Sequence, residues 1–117
     1  MSILVKSGVS FLPTPALFRM LEVLKDTSLS VGVPLTITSG SDGDHSGPTD
    51  PHKTGEAIDV RSHDLTQEQK TAFLYYMRNG LGPLFYVFLE SPGKPNEHFH
   101  CQRRKQTIYT MQEYLNA

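Results

Sequence analysis

Cysteine, tryptophan and unbalanced charge are what this chain has least of. A single cysteine, Cys101, in 117 residues excludes an internal disulfide framework and suits a reducing compartment. Tryptophan is absent, and 11 Lys and Arg against 12 Asp and Glu leave a formal net charge of -1. Without a basic field there is nothing to hold nucleic acid or an anionic membrane surface, and neither is expected as a partner. No apolar run reaches the roughly 18 residues of a membrane span. The first residues lack the basic segment, apolar block and cleavage site of a signal peptide, so the chain is expected to be cytoplasmic as synthesised. Repeats, linkers and low-complexity tracts are missing as well, which leaves a single domain over residues 1–117, expected as a monomer.

What is present reads as α+β, with helices packed on a small antiparallel sheet. "PTPALFRMLEVLKD" offers Thr14 as N-cap and Pro15 at the first helical position. Leu17, Met20, Leu21 and Leu24 follow at i, i+3, i+4, i+7 spacing, predicting a helix over about 15–27. "VPLTITSG" is a short β-rich run, and "SGSDGDHSGPTDPHKTG" is dense enough in Gly, Asp, Ser and Pro to be a long irregular loop. "EAIDVR" alternates, with Ile58 and Val60 on one face and Ala57 and Asp59 on the other. "TQEQKTAFLYYMRNG" opens on a capping box from Thr66 to Gln69 and closes on Asn79-Gly80 as C-cap. "LFYVFLE" reads as a buried strand, joined through "SPGKPN" to the alternating strand "EHFHCQ" in an antiparallel hairpin. "TMQEYLNA" repeats the capping-box pattern from Thr110 to Glu113 and predicts a short terminal helix.

The alternation carries chemistry. With Ile58 and Val60 in the core, Asp59 faces the other way; with Phe99 and Cys101 in the core, so do His98 and His100. His52 precedes a turn in which Gly55 allows an otherwise awkward backbone, so it can swing back over Asp59. Two imidazoles and a carboxylate match catalytic zinc, which takes three protein ligands at about 2.0–2.2 Å and keeps a fourth position open. His52, Asp59 and His100 are the expected ligands of Zn2+. A hydrolytic site also needs a proton acceptor, and two carboxylates qualify. Glu90 ends the partner strand across the hairpin. Glu97 serves only if the backbone bends at the strand entry, because pure alternation places it opposite His100. His98, on the ligand face, is expected to stabilise a tetrahedral intermediate or to support the ligands.

Other residues have plainer readings. Cys101 is a small buried hydrophobe with no base beside it. Arg103, Arg104 and Lys105 read as a solvated turn after a strand. His45 and His63 make no claim from spacing, and Asp42, Asp44 and Asp50 lack the EF-hand pattern and its closing Glu.

"DPHKTGEAID" resembles the first motif, S-x-H-x-x-G-x-A-x-D, of the zinc peptidases of family M15, the D-Ala-D-Ala carboxypeptidases and L-alanyl-D-glutamate endopeptidases that include phage endolysins. His52, Gly55, Ala57 and Asp59 fall in place, and "EHFHC" matches a second motif that ends in a ligand His within H-x-H or E-x-x-H. "ITSGSDGDHSGPTDPHKTGEAIDV" and "FLES…HFHC" also resemble the related hedgehog domain, so the similarity covers about residues 33–102. The resemblance implies a hedgehog/DD-peptidase-like fold, His52, Asp59 and His100 as zinc ligands, and a base that is Glu97 in the peptidase pattern or Glu90 in the hedgehog pattern. It implies a peptidoglycan stem peptide as substrate and a phage or prophage lysis enzyme, reaching the cell wall after release or carried in a virion. The alternative is a non-catalytic, zinc-stabilised binding or structural module. Two departures stand out: Asp50 replaces the motif's Ser, and Ser41 and Asp42 stand where many family peptidases carry a carbonyl-polarising Arg. Lys53, His45 and His98 are the available substitutes.

Overall fold

A computed structural model describes residues 2–42, 52–106 and 108–116. The element order is β1 (Ile3–Val5), α1 (Pro15–Val31), β2 (Leu35–Ser39), β3 (Ala57–Arg61), α2 (Gln67–Leu81), β4 (Phe85–Glu90), β5 (His98–Arg103) and α3 (Met111–Asn116). The fold is α+β, as expected, around a five-stranded sheet of order β1-β2-β3-β5-β4. That sheet is mixed, which corrects the antiparallel reading. β1, three residues long, pairs parallel to β2, while β2–β3, β3–β5 and β5–β4 are antiparallel.

Local signals explain where the helices start. Thr14 Oγ1 accepts a hydrogen bond from the Leu17 N–H at 3.0 Å, and Pro15 gives up no intrahelical bond at this position. α1 continues to Val31, past the expected end near residue 27, because tertiary contacts satisfy two poor helix formers. Thr27 Oγ1 lies 3.2 Å from Met77 Sδ, and Ser28 Oγ donates to the Val33 carbonyl at 2.6 Å. Thr66 and Gln69 close the capping box that starts α2, but the helix passes Asn79-Gly80 and ends at Leu81, with Gly82 as the cap. Gly80 stays inside because a side chain there would run into Val23 of α1; the glycine lets the two helices approach. Thr110 and Glu113 exchange the reciprocal bonds that start α3.

Both long helices cover one face of the sheet. Met20 and Leu24 of α1 and Phe73 and Met77 of α2 meet Leu35, Ile37, Ile58, Val60, Phe99 and Cys101, and all ten are at most 1% exposed. Phe73 stacks on Phe99 with ring centroids 3.9 Å apart. β4 is half-buried rather than buried throughout: Phe85 and Val87 face the core, whereas Tyr86 and Phe88 are exposed. Its outward side continues the face that carries Asp59, His98 and His100. Among the described residues no helix is long and apolar enough to cross a membrane.

Candidate metal centre

Strand register brings the first two residues together. Asp59 on β3 pairs directly with His100 on β5, which in turn pairs with Phe88 on β4. Asp59 Oδ1 lies 3.0 Å from His100 Nδ1. His52 arrives from outside the sheet, through the turn between β2 and β3, and its Nε2 lies 3.2 Å from the same Asp59 oxygen. His52, Asp59 and His100 thus offer three ligand atoms within 4.8 Å of one another, and His52 and His100 are buried.

Two glycines hold that third ligand in place. Gly55 has φ +79, and a side chain on it would strike the Leu12 carbonyl and Thr14; Thr14 Oγ1 instead donates to the Gly55 carbonyl at 2.7 Å. The start of α1 therefore clamps the turn that carries His52. Gly40 lies against Ser10 and Phe11 so closely that a Cβ would collide with the Ser10 carbonyl, and its own carbonyl accepts from His52 Nδ1 at 2.9 Å. A register shift between Ile37 and Ser39 in the β2–β3 ladder marks where the chain departs toward Gly40.

The remote nitrogens decide how the imidazoles are used. His52 Nδ1 is held by the Gly40 carbonyl, and His100 Nε2 lies 2.8 Å from the Gln102 side-chain oxygen. Each acceptor keeps a proton on the outer nitrogen and turns the inner one toward Asp59. Such outer anchors accompany metal-ligating histidines and set their tautomer. The donor set, two imidazoles and a carboxylate, suits a divalent cation of the zinc type.

Electrostatics point the same way. Burial alone would lower the His52 pKa, but the Asp59 hydrogen bond and charge, with the Gly40 carbonyl, outweigh it and raise the value above 6.5. His100 follows the same pattern: burial is outweighed by Asp59, Gln102 and the charge of Glu90. Burial pushes Asp59 upward, yet hydrogen bonds from His100 and His52 hold it far below the usual carboxylate range. Asp59 is an anion at every relevant pH. Protons on the two inner nitrogens satisfy it in the geometry a cation would use, so protons and metal compete for the same three atoms.

His98 and Glu90 flank the group. His98 Nε2 lies 2.7 Å from Glu90 Oε2 and 3.7 Å from Asp59 Oδ1, and its Nδ1 donates to the Asn96 carbonyl at 2.7 Å. Glu97 is placed elsewhere. Its carboxylate accepts from Ser62 Oγ at 2.7 Å, Lys70 Nζ at 2.7 Å and the Gly93 N–H at 2.8 Å. The backbone N–H of Gly93, then Lys70 and Ser62, lower its pKa to about 2. Those partners lie just past the end of β3, on α2 and in the hairpin loop, so the bend that would turn Glu97 toward His100 is not made.

Of the remaining residues, His63 ties its Nε2 to the Pro95 carbonyl at 2.9 Å, and Lys53 is exposed. Asp42 Oδ1 accepts from the Gly40 N–H at 2.9 Å and the Ser10 N–H at 3.2 Å, so it shapes the loop that anchors His52. His45, Asp44 and Asp50 lie outside the described residues. Burial raises the Cys101 thiol pKa strongly, in keeping with an inert core residue. Gln102 is the supporting residue that sequence reading passed over, although strand alternation from His100 already puts it on the same face. Neither family models, nor curated proteins, nor solved structures contain a match to this chain.

Proposed function

We propose that this chain is a zinc-dependent peptidase acting on the peptide stems of bacterial peptidoglycan. The observation that carries the metal half of the reading is the convergence of two outward-anchored imidazoles on one carboxylate, on the sheet face the helices leave open. His52 through Nε2, His100 through Nδ1 and Asp59 would hold the ion. When bound, it supplies Lewis acidity toward a carbonyl and toward water.

The chain's own residues divide the remaining work. Glu90 is the proton acceptor in this reading, since its carboxylate is partly exposed and paired to His98 beside the ligand group. His98, between Glu90 and Asp59, orients that carboxylate, and a hydrogen bond from its Nε2 to a developing oxyanion would take the place of the one to Glu90. Phe88, with its ring 5.2 Å from His100, stands against one side of that residue. Glu97 holds the hairpin loop that precedes His98 and takes no part in proton transfer. The stem-peptide substrate, and with it release to the cell wall or carriage in a phage particle, rests on the resemblance of "DPHKTGEAID" and "EHFHC" to the M15 motifs.

A second reading, a zinc-stabilised module without catalysis, draws on one specific feature. Where the peptidases it resembles carry a cationic group, Asp42 spends its carboxylate on backbone N–H groups of Gly40 and Ser10. Loss of an oxyanion donor lowers rates by about 10²–10³. Digestion of purified peptidoglycan with zinc-loaded and with chelated protein separates the two. Metal-dependent release of peptide fragments supports the peptidase, and their masses identify the bond. Intact peptidoglycan with fully loaded protein leaves the module.

A further inference from the structure

Arg103 contradicts its reading as part of a solvated turn. It ends β5, is 1% exposed, and heads the fully buried side chains by volume. Strand alternation explains the burial: Cys101 and Arg103 face the helices, whereas His100 and Gln102 face the open side. The guanidinium lies 4.7 Å from the Tyr109 ring and 5.9 Å from that of Phe85. Its Nη1 donates to the Leu84 carbonyl at 3.1 Å and more weakly to that of Arg104 at 3.4 Å. Nε and Nη2 are buried and have no hydrogen-bond partner among the described residues.

An ionised group with unsatisfied donors away from water is strongly destabilising, so this edge calls for an anion. The carboxylates nearby are otherwise engaged. Glu56, whose carbonyl accepts from the Arg103 backbone N–H, accepts through its side chain from Thr54 Oγ1 at 3.0 Å. Glu113 accepts from the Thr110 N–H and Gln106, and Arg103 acts on it through charge. Between these groups lies a cavity of about 300 Å³, lined by Arg103, Glu56, Gln106, Tyr109 and Tyr114 and by the first residues of α1.

We propose that this cavity is a carboxylate-binding site, on the opposite side of the sheet from the metal ligands. Nε and Nη2 form the side-on edge of a guanidinium, the pair that takes both oxygens of a carboxylate in parallel hydrogen bonds. Tyr109 covers this group and would have to turn aside for the entering ligand, and Tyr109 and Tyr114 wall the apolar part of the cavity. Glu56 sets the ligand's charge: a dianionic phosphate would meet its carboxylate, whereas a monocarboxylate brings only the charge that Arg103 neutralises. The volume suits a small organic acid or the terminal residue of a peptide. None of this depends on the metal group.

The test titrates propionate, alanyl-alanine and inorganic phosphate, at constant ionic strength, into isotope-labelled full-length protein and follows its resonances. Saturable shifts centred on Arg103, Glu56, Tyr109 and Tyr114 with propionate or with the dipeptide, and weaker binding of phosphate, are expected. Propionate binding alone identifies a free acid, and tighter dipeptide binding a peptide terminus. Arg103→Met weakens binding by about 10- to 100-fold. Should that variant fail to fold, Glu56→Gln keeps Arg103 in place and tightens propionate severalfold by removing the competing charge. No saturable shift in the wild type, shifts confined to His52, His98 and His100, phosphate binding tighter than either carboxylate, or a Glu56→Gln variant with unchanged affinity would overturn the proposal.

Discussion

His52 Nδ1 donates to the carbonyl oxygen of Gly40 at 2.9 Å, and this bond turns the other imidazole nitrogen onto Asp59. The protein is therefore expected to bind one zinc ion per chain. Elemental analysis after purification without chelators checks this. His52→Ala should lose the metal. His63→Ala, which changes a residue tied to the Pro95 carbonyl, should keep it. Chelation should lower the thermal midpoint, because the ion joins the turn before β3 to two strands.

Metal affinity should rise with pH beyond the ordinary histidine range. Asp59 raises the pKa of both His52 and His100 above 6.5, so protons hold the inner nitrogens to higher pH than in a free imidazole. Neutral imidazole is the ligand, so loading releases these protons and weakens as pH falls through the raised values. Competition with a chromophoric chelator across pH 6–9 measures the slope. An affinity that is already level at pH 6 would show that the histidines are not the ligands.

Gln102 is predicted to tune the ion without touching it. Its side-chain oxygen lies 2.8 Å from His100 Nε2, and removing such a partner lowers metal affinity by about 10–100-fold. Gln102→Met keeps the length of the side chain and removes the acceptor. The fall should appear in chelator competition while the far-ultraviolet spectrum stays as in the wild type.

Glu97 should govern acid stability. Its pKa falls from 4.5 to about 2 in the folded chain, through the Gly93 N–H, Lys70 and Ser62. A depressed carboxylate contributes stability that is complete above the unfolded value, and it is lost as pH drops from about 4.5 toward 2. Glu97→Gln should be less stable than the wild type at neutral pH, and the two should converge near pH 2. Denaturant midpoints at several pH values provide the comparison. A wild-type midpoint independent of pH over this window would contradict the anchor.

How far the site could be read beforehand depended on whether one strand or several elements set a residue's position. Asp59 and His100 needed only the period of two, and β3–β5 pairing then places them opposite each other. His52 needed the turn allowed by Gly55. Glu97 was beyond such reasoning, because alternation says which face a residue leaves but not that Ser62 and Lys70, 35 and 27 residues away, wait on the other. Arg103 was misjudged for a related reason: a charged residue after a strand is usually solvated, and only the packing of Phe85 and Tyr109 encloses it. β1 was missed because three apolar residues carry too little pattern, and with it went the parallel pair that makes the sheet mixed.

The proposal of Glu90 over Glu97 as proton acceptor yields the last prediction. Glu90 Oε2 lies 2.7 Å from His98 Nε2, and His98 stands between it and Asp59. Against the proposed peptide substrate, Glu90→Gln should leave zinc bound and lower turnover by about 10²–10⁴, the usual contribution of a positioned base. Glu97→Gln should change turnover far less than stability. If His98 acts by orienting Glu90, His98→Ala lowers turnover as well, and the double variant loses little more than the worse of the two single ones, because each removes the same working unit. Additive losses would instead assign His98 a separate task at the oxyanion. Equal turnover of Glu90→Gln and the wild type, with metal content unchanged, would rule out Glu90 as the base.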